Sequence, residues 1–169
     1  METKERTQIL DAWEIEQTVR RIAHQILEDY YKEKSLYFVG VKGIGSNMAQ
    51  LLQKEFAKIS EIEVIYTEIA LNKDKPLAES IDLKRDLSEF KNKHVLLIDD
   101  VLNSGRTLIY AAAHLLDSAP KSLRTVVLVD RTHRKFPIRA DYVGMTLSTN
   151  LKEHVAVEKE GRKYAAYLQ

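Results

Sequence analysis

Two neighbouring carboxylates, Asp99 and Asp100, follow the apolar run Val95-Leu96-Leu97-Ile98, and a short loop, Val101-Leu102-Asn103-Ser104-Gly105-Arg106-Thr107, follows them. A buried strand that ends in two acids and turns through Ser-Gly into a helix brings carboxylates and unpaired helix amides to one place. Those first-turn N–H groups, at the positive end of the helix dipole, favour a phosphate. Gly105 lets the backbone approach closely, and Ser104 and Thr107 add hydroxyl donors. Carboxylates beside such a pocket suit a ligand that carries both a phosphate and a diol, with Mg²⁺ as the charge bridge. Each feature alone has a plainer reading, because Ser or Thr at a helix start is an ordinary cap and an acidic pair at a strand end an ordinary solvated turn. The combination is more specific than its parts. It has neither the Lys and spacing of a P-loop nor a G-x-G-x-x-G, so nucleoside-triphosphate and dinucleotide fingerprints both fail.

A second concentration of charge is the basic run Arg131, His133, Arg134, Lys135 and Arg139, with no acid between its ends. It reads either as a solvated loop or as part of a face for a polyanion. The histidines lack metal-ligand spacing and there is no Cys, which excludes a zinc ribbon, a disulfide scaffold and a thiol nucleophile.

These residues need a scaffold, and the apolar pattern supplies one. Residues 7–31 repeat apolar side chains (Ile9, Ile15, Val19, Ile22, Ala23, Ile26) at three- and four-residue steps, which predicts an amphipathic helix, with Trp13 as a packing residue. Residues 36–41 read as a strand buried on both faces, residues 46–56 as a helix opened by Gly43-Ile44-Gly45, and residues 62–69 as a further strand. No period holds over residues 70–93, where Asn72-Lys73-Asp74-Lys75-Pro76 has turn chemistry, so a long binding loop or lid is expected. Strands at 95–98 and 123–129 flank a helix at 107–116; 140–143 and 154–157 are weaker strands, and 164–168 is expected to close the sheet. Alternating strands and helices imply a single α/β domain over residues 1–169, three-layered (α/β/α) with a mostly parallel sheet. Ligands in such sheets bind beyond the C-terminal strand ends, which directs attention to the loops after Val41, Ile98 and Val129.

Composition narrows the class. With 169 residues, 44% hydrophobic and 30% charged, the chain is ordered and globular rather than fibrous or disordered. The charged start, Met1-Glu2-Thr3-Lys4-Glu5-Arg6, is no secretory signal and no apolar run is long enough for a membrane span, so a soluble cytoplasmic protein with no membrane partner is expected. Lys and Arg number 26 against 25 Asp and Glu, a net charge of +1 that argues against wholesale nonspecific nucleic-acid binding but permits a local basic face.

Phosphoribose meets the phosphate-plus-diol description, and residues 99–107 resemble the phosphoribosyl-diphosphate signature of type I phosphoribosyltransferases. The stretch around Asp130-Arg131-Thr132-His133-Arg134 up to Gly144, with Arg20-Arg21-Ile22-Ala23-His24, resembles the pyrimidine operon attenuators with uracil phosphoribosyltransferase activity (PyrR type). The resemblance implies that residues 103–107 hold the 5-phosphate, with Val101 and Leu102 leading into that loop. Asp99 and Asp100 would bind the ribose hydroxyls as the catalytic pair. Lys42, Gly43, Ile44 and Gly45 would form the diphosphate loop. Asp130 and Arg131 would lie by the base and the metal-bound diphosphate, Asp130 touching Mg²⁺ directly or through water. It further implies phosphoribosyl diphosphate and a nucleobase, uracil favoured, as substrates, and a homodimer or larger homo-oligomer whose α-helical stripe packs somewhere. A pyrimidine-leader mRNA hairpin would be a second partner, bound through Arg20, Arg21, His24, Arg134 and Arg139, with Arg134 and Arg139 standing outside the diphosphate signature. Two departures weaken the enzyme reading: Gly43-Ile44-Gly45 replaces the family's Thr-Arg-Gly, and Leu71-Asn72-Lys73-Asp74 stands where the family carries Tyr-Arg-Asp-Asp. A regulator that senses UMP or phosphoribosyl diphosphate with little or no catalysis is the alternative.

Overall fold

Asp11 decides where the first helix begins. Its carboxylate accepts from the Glu14 amide at 2.8 Å while the Glu14 carboxylate accepts from the Asp11 amide at 2.8 Å, a reciprocal capping box. Helix α1 therefore runs Ala12–Tyr30, and Thr7–Leu10 before it forms strand β1 instead of the helical turn suggested by Ile9. The computed structural model describes residues 5–150 and 152–169, so most of the charged start and Leu151 lie outside the described residues. Further elements are β2 (Ser35–Val41), α2 (Ile44–Ala57), β3 (Glu63–Ala70), β4 (Asp82–Leu83), a 3-10 turn (Leu87–Phe90) and β5 (His94–Leu102). After these come α3 (Arg106–Leu116), β6 (Ser122–Asp130), β7 (Tyr142–Thr146), β8 (Val155–Glu160) and β9 (Lys163–Leu168).

The main sheet has the order β4-β3-β2-β5-β6-β7, parallel except for β4. Side chains alternate across it. Leu36, Phe38, Leu96, Ile98, Val126 and Leu128 pack with α1 and α2, whereas Tyr37, Val39, Val95, Leu97 and Val127 pack with α3. This is the expected three-layer α/β/α architecture. After β2 the chain passes through α2 to one edge, and after β5 it passes through α3, on the opposite face, to the other. The topological switch point thus falls between β2 and β5, and the crevice between two diverging connections opens above their C-terminal ends.

Three expectations are corrected. Residues 154–157 and 164–168 do not extend the main sheet: β8 and β9 form an antiparallel hairpin that joins β1 in a second sheet of order β1-β9-β8. That hairpin buries Val155, Val157 and Ala166 in the core beneath α1, apolar area that an edge position beyond β7 would leave in water. Trp13 is 68% exposed and is no packing residue, because Ile15, Val19, Ile22, Ala23 and Ile26 already fill the buried stripe of α1. The stripe lies inside the chain's own core and so supplies no argument for assembly. The segment 70–93 is not featureless, since β4 pairs with β3 and Phe90 is fully buried against Tyr37.

Candidate active site

Strand β5 is longer than its apolar run suggests, and Asp99 and Asp100 lie inside it, with Asp99 level with Val127 and Val101 with Val129. Pairing with β6 continues past the last β2 partner, Ile98, and holds the two carboxylates on a strand end rather than on a loop. Asp99 is only 4% exposed, and its carboxylate accepts the Asp100 amide at 2.9 Å. The first turn of α2 sits directly on it: a Cβ added to Gly45 would stand 2.6 Å from Asp99 Oδ1. Burial pushes the Asp99 carboxyl well above the usual carboxylate range, the Asp100 charge pushes in the same direction, and Lys73 opposes them. Asp100 is half-buried and faces more open space.

Two helix N-termini converge here without side-chain caps. Helix α2 begins at Gly43, with φ of 106° and ψ of −138°, a backbone that excludes a Cβ without strain. The Lys42 amide continues the strand ladder to the Ile69 carbonyl at 2.8 Å, so the Lys42 to Gly45 turn leaves the sheet edge in a defined direction. Helix α3 begins at Gly105, with φ of 88°, and the Arg106 amide is tied to Ser104 Oγ at 3.3 Å. The amides that follow in that turn have no intrahelical partner. A hollow of about 40 Å³ lies among residues 101–108 and Asp99, in front of those amides. A larger cavity of about 290 Å³ is bounded by Lys73, Asp99, Asp100, Asn103 and Thr107 on one side and by His154 to Val157 on the other. The second sheet is therefore a hood over the strand ends. Sequence reasoning missed this wall, because nothing in a four-residue apolar stretch says which sheet it joins.

Side chains of Val101 and Leu102 are buried in the core, so these residues hold the loop and present only backbone. Ile44 also packs against the core. Asp130, at the end of β6, accepts from the Thr132 amide at 3.0 Å and from Arg134. Arg131 is 9% exposed and does not reach outward: it donates to Thr149 Oγ1 at 2.7 Å, the Asn150 carbonyl at 3.1 Å and Asn103 Oδ1 at 3.3 Å. Lys73 comes to the cavity wall, while the Asp74 carbonyl accepts from Arg106 at 3.3 Å, which ties the long loop to α3.

The five basic residues are not gathered into one free surface. Arg20 is held by Glu16 at 3.1 Å and by the buried Glu55 at 3.3 Å. Arg21 donates to the Val143 and Gly144 carbonyls, setting its face of α1 beside β7; His24 on that face is exposed, as is Arg139 in the segment leading to β7. Arg134 turns inward onto the phosphate-loop candidate, where it donates to the Asn103 carbonyl.

Among the described residues no cluster of three His, Cys, Asp or Glu side chains forms a metal cage. Single carboxylates at two strand ends suit a Mg²⁺ that keeps waters and arrives with ligand phosphates, taking one or two protein carboxylates. No described helix is long and apolar enough to cross a membrane.

A family model, the phosphoribosyl transferase domain, matches residues 5–164. The "Bifunctional protein PyrR" of Oceanobacillus iheyensis is 35% identical over 167 residues, 92% of this chain and 91% of that protein. Its namesake from Bacillus cereus is 36% identical with the same shares, 92% and 91%. Among solved structures, the hypoxanthine phosphoribosyltransferase of Trypanosoma cruzi has a TM-score of 0.78 over 95% of both chains at 20% identity, a likeness of fold.

Proposed function

Because the chain belongs to the phosphoribosyl transferase domain family, a family of pentosyltransferases, we propose that it transfers the phosphoribosyl group of phosphoribosyl diphosphate to uracil, giving UMP and diphosphate. The observation that carries this reading is the meeting of two uncapped helix N-termini on either side of Asp99 and Asp100 at the switch point. In this reading residues 103–107 hold the 5-phosphate, the two carboxylates take the ribose hydroxyls, and Lys42 with the amides after Gly43 faces the diphosphate. The C1–O bond to diphosphate breaks as a pyrimidine nitrogen bonds to C1, and that nitrogen's proton is lost to solvent. Positive character at C1 is favoured by carboxylates nearby, and charge growing on the leaving group by backbone dipoles already aimed at it. Mg²⁺, when bound, supplies further neutralisation of the diphosphate, with Asp100 and Asp130 as its candidate carboxylate partners. The hood strand beside the carboxylates gives the base a wall, and uracil is favoured over a purine because the relatives sharing a third of the sequence are PyrR proteins. A base panel (uracil, cytosine, adenine, guanine, hypoxanthine) with phosphoribosyl diphosphate and Mg²⁺, read by diphosphate release, tests this. Release with hypoxanthine and none with uracil would overturn the base assignment.

A second, compatible role is binding of a pyrimidine-leader RNA hairpin, favoured by the way Arg21 docks its face of α1 beside the basic segment that leads into β7. Each phosphate contact releases counterions, so affinity should fall steeply with salt. Replacing Lys135 and Arg139 by Gln should lower the slope of log K against log salt by about 1 to 2, and UMP should strengthen the complex if the sites are coupled. Equal binding of hairpin and scrambled RNA would leave this surface merely solvated.

A further inference from the structure

By position Arg134 belongs to the basic run, yet its guanidinium faces the interior of the site. It donates from Nε to the Ile138 carbonyl at 2.9 Å, from Nη1 to the Asn103 carbonyl at 2.8 Å and from Nη2 to Asp130 Oδ1. Three chain segments meet on one rigid fork: the loop after β5, the end of β6 and the turn before β7. The next peptide is pinned from the same side, because the Lys135 and Phe136 amides both donate to the Ser104 carbonyl, at 2.9 and 3.0 Å. Packing closes the arrangement, with Ile138 and Arg134 Cδ lying 2.6 and 3.6 Å from where a Gly105 Cβ would stand.

In a trans peptide the C=O and the N–H of one plane point in opposite directions. Holding the Asn103 and Ser104 carbonyls toward residues 134–136 therefore turns the Ser104 and Gly105 N–H groups away from that segment, toward the ligand side of the loop. It also removes two carbonyl oxygens that would repel a phosphate. We infer that Arg134 is a positioning residue for the 5-phosphate loop, fixing the Asn103 peptide so that its backbone presents donors and no acceptor to the ligand. This rests on the reading of residues 103–107 as a phosphate loop. Asp130 holds the guanidinium in place, so the acid assigned to the base side also braces the phosphate side. An Arg is required because one planar fork reaches acceptors in three directions, which a single ammonium cannot do.

The test is calorimetric titration of the full chain with two separate probes, ribose 5-phosphate and diphosphate without Mg²⁺, so that the second probe does not draw on the Asp130 carboxylate that Arg134 holds. In both Arg134→Met and Arg134→Lys, ribose 5-phosphate affinity should fall roughly tenfold or more, the size of a lost charged hydrogen bond. Diphosphate affinity should stay within about twofold, a split that general loss of structure would not produce. Wild-type affinity for ribose 5-phosphate in both variants, or equal loss of both probes in a folded variant, overturns the inference. A measurement on the unmodified protein guards against variants that fail to fold: ribose 5-phosphate should shift the Ser104 and Gly105 amide resonances, and shifts confined to other loops would overturn it. If the wild-type protein binds no ribose 5-phosphate, the phosphate-loop reading fails first and this inference with it.

Discussion

Replacing Gly105 by Ala separates backbone strain from packing at the loop proposed to hold the 5-phosphate. Gly105 adopts φ of 88° as the residue before α3, and a Cβ there would lie 2.6 Å from Ile138 Cγ2. A non-glycine residue at such φ costs about 1–2 kcal/mol. A carbon pressed more than half an ångström inside normal contact adds overpacking of about 1–3 kcal/mol, reduced because Ile138 is half-buried and can shift. The sum is about 2–4 kcal/mol, or a fall in Tm of roughly 5–12 °C for a chain of this size. Gly43→Ala is the control, since Gly43 has φ of 106° but nothing within 4 Å of its added Cβ. It should cost only its strain, about 1–3 kcal/mol. Urea unfolding of Gly105→Ala, Ile138→Ala and the double variant completes the assay. The alanine at 138 removes the colliding methyl, so the double variant should be more stable than the sum of the two single changes predicts, by about 1 kcal/mol or more. Additive losses would refute the claim that Ile138 and the loop after β5 share one packed contact.

Asp100→Asn should leave unfolding almost unchanged and lower turnover roughly 10- to 100-fold, since it removes a charged partner of the ligand from a half-buried strand end; full activity at saturating substrate would sink its assigned role. Asp99 titrates above the usual carboxylate range in the folded protein, so its neutral form favours folding at low pH. That contribution is lost as pH rises from the ordinary carboxylate range through the raised value. Asp99→Asn should flatten this fall in the ligand-free protein, and an unchanged slope of unfolding midpoint against pH would contradict it. Burial pushes Glu55 upward, but Lys58 and Arg20 outweigh it and hold the carboxylate below its ordinary range. Arg20→Ala should thus cost about 1 kcal/mol at neutral pH, a loss that vanishes as pH falls through the lowered value. Its RNA salt slope should not change; a drop by a full contact would mean that Arg20 is a nucleic-acid ligand after all.

The parts of the candidate site in residues 95–107 were legible because each is local: an apolar strand, two acids and a Gly-opened helix are contiguous, and strand and helix periods are set over a few residues. The α/β class follows from the same alternation, and so do the three strand-end loops worth searching; which of them flank the switch point is set by the strand order. The start of α1 was not legible: the period of Ile9 carries the helix back to residue 7, whereas the capping box of Asp11 with Glu14 opens it at Ala12. What tertiary structure alone decided are relations between segments far apart in the chain. Whether residues 154–157 extend the main sheet or roof the strand ends depends on which apolar surface they bury, and an alternating pattern serves either sheet. Whether Asp99 is solvated or covered depends on Gly45 of another element lying against it. Charge likewise has no direction in a sequence: Arg134 and Arg139 are five residues apart in one basic run, but one guanidinium is bound to the loop after β5 and the other meets solvent, because only the fold supplies the carbonyls of Asn103 and Ile138 and the carboxylate of Asp130 within reach of the first.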